Sequence, residues 1–189
     1  MTMKPHYFIG IKIPSSIAEK LAEVRNAWNL QTHKRQTPPQ DMHITLLFIG
    51  EDVHGEIGQV EKLLAEIKQQ SFSLTIDGIK TFGNPLTPRV VYASLETSRE
   101  LEELQHQVRQ SLKSLQIKPD AKKFIPHITL ASRWAGGEPI HLHYSIGNMQ
   151  FEATEFSLFR IAPKDNPRYQ KIANYPLETA PTVSEGESL

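Results

Sequence analysis

His43-Ile44-Thr45-Leu46 and His127-Ile128-Thr129-Leu130 are one tetrapeptide written twice, 84 positions apart. Chance places about half a His-x-Thr match in a chain with 8 histidines and 189 residues, so a single copy carries no information. Two identical copies in equivalent surroundings do. Each stands at the head of an apolar, β-branched run, and side chains alternate along a strand. In both copies His and Thr therefore share one face, and Ile and Leu anchor the other.

Working outward, the two copies sit in parallel settings. Tyr7 to Ile13 reads as a buried first strand stopped by Pro14. Ser16 with Glu19 predicts a capping box for a helix whose face is Ile17, Leu21, Val24 and Trp28. Gln31 to Gln40, with Pro38 and Pro39, is expected to be a loop leading to the strand His43 to Ile49. A second helix over Ile57, Val60, Leu64 and Ile67 precedes a strand from Phe72 to Ile79. Turn residues between Thr81 and Pro88 mark the midpoint. The second half repeats the plan. A strand Val90 to Leu95 is followed by a Thr97/Glu100 capping box, and by a helix through Leu101, Leu104, Val108, Leu112 and Leu115. The strand His127 to Ser132 comes next, then strands near Tyr144 to Phe151 and Glu155 to Ile161. The halves, roughly 1–80 and 88–178, form one pseudo-twofold unit over 1–178, and 179–189 is expected to be a disordered tail.

Composition narrows the chemistry. Lys+Arg and Asp+Glu are both 21, so nothing in the overall charge attracts polyanions; contact with nucleic acid needs a local patch and should be small and directed at an end. With 39% apolar residues the chain can bury a core. The absence of cysteine excludes disulfides, thiolate metal sites and cysteine nucleophiles. No signal peptide is expected from the run Tyr7 to Ile11, and no apolar run of spanning length occurs, so a cytoplasmic protein with no membrane partner is expected.

If the two polar faces meet, the cleft holds two imidazoles and two hydroxyls. One neutral imidazole can act as general base while a protonated one acts as general acid near neutral pH. Threonine hydroxyls can donate to oxygens that gain charge in a phosphoryl transition state, without any metal or cofactor.

The sequence resembles the 2H phosphoesterase superfamily, and within it the RNA 2′,3′-cyclic phosphodiesterases, historically called 2′-5′ RNA ligases. The residues that carry the resemblance are the duplicated motif and Arg35-Gln36-Thr37-Pro38-Pro39-Gln40-Asp41-Met42 before its first copy. Phe48-Ile49-Gly50 follows that copy. Thr81-Phe82-Gly83-Asn84-Pro85, Pro88-Arg89-Val90, and Phe124-Ile125-Pro126 before the second copy complete the set. The similarity runs from about Tyr7 to Tyr169. It implies an α+β, bilobal LigT-like fold, with two antiparallel sheets around a central cleft and helices outside. It also implies metal-independent hydrolysis of terminal 2′,3′-cyclic phosphates to 2′-phosphates on RNA or oligonucleotide 3′ ends, with reverse 2′-5′ ligation. His43 would be the proton donor to the leaving 3′ oxygen, His127 the acceptor from water, and Thr45 and Thr129 the phosphate holders. Relatives commonly carry arginine two positions after the second motif, where this chain has Ser132 followed by Arg133, and many carry serine where Ile161 stands.

Further candidates border this set. Arg35 and Arg133 are candidate phosphate cations, and Trp134 a stacking face for a base. Alternation places Phe48 opposite His43, in the core; Tyr7 and Lys12 are possible neighbours of the cleft. His141 and His143 share a face but have no third ligand at recognisable spacing, so exposed histidines are expected there rather than a metal site. Gly50 to Gly55 has phosphate-loop spacing, but Glu56 stands where lysine is required. A monomer is expected. Two other functions fit the same residues: a phosphodiesterase for small cyclic nucleotide or sugar phosphates, and a non-catalytic module binding RNA ends.

Overall fold

A computed structural model describes residues 4–28, 30–117, 121–142 and 146–179. Nine strands and three α-helices occur among them: β1 (His6–Lys12), α1 (Ser15–Ala27), β2 (His33–Gln36), β3 (His43–Glu51), α2 (Ile57–Ala65), β4 (Phe72–Phe82), β5 (Val90–Leu95), α3 (Arg99–Ser111), β6 (His127–Trp134), β7 (Met149–Ala153), β8 (Glu155–Ile161) and β9 (Tyr169–Pro176). The expected tail, apart from Thr179, lies outside the described residues.

The strands run in the order β7-β4-β5-β6-β3-β1-β8-β9, with β2 added on β6. That order is symmetric about the seam between β6 and β3, and every strand pairing is antiparallel. The seam is narrow: β3 and β6 pair through Ile44 and Ile128. Two four-stranded lobes thus meet as one continuous antiparallel sheet, and the lobe around β3 is completed by β8 and β9 from the end of the chain.

Ile44, Leu46, Ile128 and Leu130 are buried on the helix side of the sheet. The helices cross over: α3 packs against β3 and α1 against β6. Leu101, Leu104 and Val108 of α3 and Leu21 of α1 are fully buried. The face of β3 and β6 that carries His and Thr is left open as the cleft.

The helix starts differ from expectation. Pro14 is the N-cap of α1, and its carbonyl accepts from the Ile17 and Ala18 amides, so Ser16 lies inside the first turn and caps nothing. In α3 the cap is Ser98, one position after Thr97, whose hydroxyl accepts from the Leu101 amide at 3.1 Å. α3 stops at Ser111, and Leu112 and Leu115 are buried from the turns beyond it.

The stretch Gln31 to Gln40 is not a plain loop. It contains β2 and a 3-10 turn, Pro39–Asp41. His-Lys-Arg-Gln carries no alternating apolar signal; its strand exists because β6 supplies partners, Arg35 lying opposite Ser132. β4 continues three residues past Ile79. The strand expected near Tyr144 to Phe151 is β7, starting at Met149, and Tyr144 is outside the described residues. β9 had no sequence expectation.

A distortion shared by the two motif strands shapes the cleft. Opposite β1, Gly10 pairs with Thr45 but Ile9 pairs with Leu47, leaving Leu46 as an extra residue. Opposite β5, Tyr92 pairs with Thr129 but Val91 pairs with Ala131, leaving Leu130 extra. These are β-bulges at the fourth residue of each tetrapeptide, and a bulge reverses the alternation beyond it. Phe48 is consequently 53% exposed, not buried in the core as simple alternation predicts.

Candidate active site

The short seam places His43, Thr45, His127 and Thr129 on one partly open face, each motif antiparallel to the other. His43 Nδ1–H donates to the Asp41 carbonyl at 2.8 Å, and His127 Nδ1–H donates to the Ile125 carbonyl at 2.8 Å. A carbonyl only accepts, so both rings carry their neutral-state proton on Nδ1 and present Nε2 as an acceptor. His43 Nε2 receives the Thr45 hydroxyl at 3.0 Å.

Aromatic rings fix the orientation of both imidazoles. His43 lies against Phe8 at 4.5 Å and meets Tyr169 edge-on at 4.8 Å between centroids. His127 meets Phe82 edge-on at 5.0 Å and Tyr92 at 5.4 Å. These apolar walls disfavour the charged forms. Burial pushes His43 down to about 4; its bond to the Asp41 carbonyl opposes the shift, and the nearby His127 adds to it. Burial also lowers His127, opposed by the Ile125 carbonyl.

On one side of the motif a cavity of about 290 Å³ is walled by His43 and Thr129 together with Arg35, Arg133, Arg168 and Tyr169. Asp41 organises this wall. Its buried carboxylate accepts from the Arg168 amide at 2.9 Å and the Tyr169 amide at 3.4 Å, and pairs with Arg35 at 3.5 Å. The Arg35 guanidinium in turn lies over the Tyr169 ring at 5.6 Å. On the other side a groove of about 560 Å³ borders Thr45 and His127 and is walled by Phe48, Phe82, Phe124 and Ile125.

Arg35 and Arg133 thus reach the cavity beside His43, and Ser132 joins them. Arg133 has φ +65°, a break in the regular strand conformation, and the neighbours Ser132 and Arg133 both line the same hollow. Trp134, beyond that break, packs edge-on against His33 at 5.4 Å and lies outside both hollows, as do Tyr7 and Lys12. His141 is exposed and His143 falls outside the described residues. No group of three or more metal-ligating side chains occurs among the described residues, and no helix among them is long and apolar enough to cross a membrane. Asp41, Arg168, Tyr169, Phe8, Phe82 and Tyr92 were not singled out as site residues from sequence. Asp41 and Phe82 stood inside quoted motif segments, but their roles depend on partners far along the chain.

A family model described as LigT like Phosphoesterase matches residues 11–92 and 94–169. The chain is 32% identical over 179 residues to the RNA 2′,3′-cyclic phosphodiesterase of Bacillus subtilis strain 168, covering 93% of this chain and 98% of that relative. It is 27% identical over 180 residues to the RNA 2′,3′-cyclic phosphodiesterase of Escherichia coli strain K12, covering 94% and 99%. Among solved structures, the crystal structure of Escherichia coli LigT complexed with 3′-AMP superposes with TM-score 0.81 at 24% identity, over 92% of this chain and 99% of that one, a likeness of fold.

Proposed function

This chain belongs to the LigT-like phosphoesterase family, and on that premise we propose that it is an RNA 2′,3′-cyclic phosphodiesterase, a hydrolase that opens a terminal cyclic phosphate to a 2′-phosphate with two histidines and no metal. The observation that carries the reading is the matched pair of imidazoles on the two strands of the seam, each with Nδ1–H held by a backbone carbonyl, which leaves Nε2 for chemistry.

In the proposed reaction His127 Nε2 takes a proton from water as the water oxygen attacks phosphorus. The bond from phosphorus to the 3′ oxygen breaks, and His43 Nε2–H protonates that oxygen. Thr45 and Thr129 donate to the non-bridging oxygens, with Arg35 and Arg133 supplying positive charge from the cavity wall. Free His43 is neutral at neutral pH. The entering phosphate anion favours its imidazolium form and replaces it as partner of the Thr45 hydroxyl. A 5′-hydroxyl in place of water gives 2′-5′ ligation through the same groups. Both histidines come from one chain, which supports a monomer as the working unit.

The test is incubation of the purified protein with EDTA and a short oligoribonucleotide ending in 2′,3′-cyclic phosphate. Ring opening to a 2′-phosphate supports the reading. Absence of turnover, or loss of turnover with EDTA that zinc or magnesium restores, contradicts it.

A further inference from the structure

Three arginines wall the cavity beside His43, and their situations differ. Arg35 shares its charge with the buried Asp41 carboxylate at 3.5 Å, and Arg133 stands exposed. Arg168 is half-buried and pairs with no carboxylate among the described residues. Its Nε–H is buried without a hydrogen-bond acceptor. The guanidinium lies 6.0 Å from the centre of the Tyr169 ring, which Arg35 also approaches at 5.6 Å. A ring face offsets part of the charge but offers the N–H groups no oxygen.

Buried polar groups in folded proteins are almost always hydrogen-bonded, and an orphaned donor on a cation is costly. An anionic oxygen entering this cavity removes that cost and makes a charge-assisted bond. The backbone that carries Arg168 is also held in place. The Ala162 amide closes the turn onto the Arg168 carbonyl at 2.7 Å, and the Gln40 side chain donates to that of Asn166 at 2.7 Å. The Arg168 and Tyr169 amides both donate to the Asp41 carboxylate, 127 positions away from Arg168, and the Asp41 carbonyl holds His43 Nδ1–H at 2.8 Å. One residue thus sets His43 and Arg168 on the same hollow.

We propose that Arg168 is a phosphate-binding residue of the ring-opening reaction, donating to a non-bridging oxygen of the phosphate held between His43 and His127. The inference rests on the proposed reaction and adds to it a cation whose buried N–H gains its acceptor only from the bound phosphate. Charge on the non-bridging oxygens grows as water adds to phosphorus, and the 2′-phosphate product carries more of it than the cyclic diester. Arg168 therefore acts on kcat more than on KM.

The side chain can be changed without touching the latch, because Asp41 binds main-chain amides. Wild type, Arg168→Met and Arg168→Lys are titrated with uridine 2′-phosphate to millimolar concentration by NMR, with uridine as the control for the nucleoside. In Arg168→Met the Kd of uridine 2′-phosphate should rise at least about tenfold while uridine binding stays as it was. Arg168→Lys keeps the charge but loses the buried Nε–H, and its Kd should rise at least about threefold. On an oligoribonucleotide ending in 2′,3′-cyclic phosphate, kcat of the methionine variant should fall at least about tenfold, with KM changing less. A Kd for uridine 2′-phosphate that either variant leaves unchanged, or that wild type shares with uridine, overturns the assignment. If the variants open the cyclic end as wild type does, the reaction stands and the role of Arg168 falls. If they lose 2′-phosphate binding but no form of the protein opens the cyclic end, Arg168 stands as a phosphate-binding residue and the reaction reading falls.

Discussion

Leu46 and Leu130 occupy the same place in two pseudo-symmetric bulges, and each bulged carbonyl is held by a side chain from the helix packed beneath it. Arg25 of α1 donates to the Leu130 carbonyl at 3.3 Å and to the Thr37 carbonyl; Gln105 of α3 donates to the Leu46 carbonyl at 3.4 Å. The Leu46 carbonyl takes its donor from the helix, whereas the Leu130 carbonyl also accepts the Thr37 amide at 2.9 Å, so that Arg25 adds a second, longer bond there. The two motif strands are distorted at matching positions, and a side chain of the helix beneath meets each bulged carbonyl.

The two holders are unequal. Arg25 is 5% exposed and serves two carbonyls, whereas Gln105 makes one longer bond near the surface. Arg25→Met should cost about 1–3 kcal/mol in denaturant unfolding, because it takes the guanidinium from the buried Thr37 carbonyl, while the Leu130 carbonyl keeps the Thr37 amide. Gln105→Met should cost less than about 1 kcal/mol. Equal costs would show that the bulges do not depend on these bonds in the way described.

Gly10 lies opposite Thr45, and a Cβ there would stand 2.6 Å from the Ile44 carbonyl oxygen. Both groups are backbone, so neither can swing aside, and β1 would have to part from β3. Gly10→Ala should destabilise by about 1–3 kcal/mol and lower kcat by displacing His43 and Thr45. Unchanged stability and turnover would mean that β1 gives way without disturbing the motif.

Both histidines are depressed below the ordinary imidazole value, His43 to about 4. Since kcat/KM reports the free enzyme, its bell should have its maximum on the acid side of about 6.5, while kcat, measured with the phosphate anion bound, should peak at higher pH. Asp41→Asn removes a negative charge that raises His43, so the His43 titration followed by NMR should move to lower pH. A kcat/KM maximum above about 7.5 would contradict the burial argument.

The same depression has a consequence for folding. The native state binds fewer protons than the unfolded chain between about 6.5 and about 4, so stability present above that window is lost as pH falls through it. His43 contributes at most about 3 kcal/mol to that loss. His43→Gln should flatten the decline measured by urea unfolding at pH 7, 5.5 and 4; an identical decline in the variant would assign it to other groups.

The duplicated tetrapeptide made the shared polar face, the pseudo-twofold plan and the family legible, because His-x-Thr alternation is local. What failed to show was non-local. Phe48 reads as core until the ladder with β1 reveals the extra residue at Leu46. Asp41 reads as a loop carboxylate until Arg168 and Tyr169 return from the far end of the chain to its oxygens. β2 carries no apolar pattern because β6 alone makes it a strand. Trp134 packs edge-on against His33, a partner from β2 that no local pattern announces.

The division of labour between the two imidazoles is the central claim, and a change of leaving group tests it most directly. In a 2′,3′-cyclic substrate whose bridging 3′ oxygen is replaced by sulfur, the departing thiolate needs no proton. On the ordinary substrate His43→Ala and His127→Ala should each lower kcat by at least about a hundredfold. On the sulfur substrate His43→Ala should recover most of that loss and His127→Ala should recover none. Recovery by His127→Ala instead would reverse the two roles, and equal defects on both substrates would show that neither histidine acts as the acid.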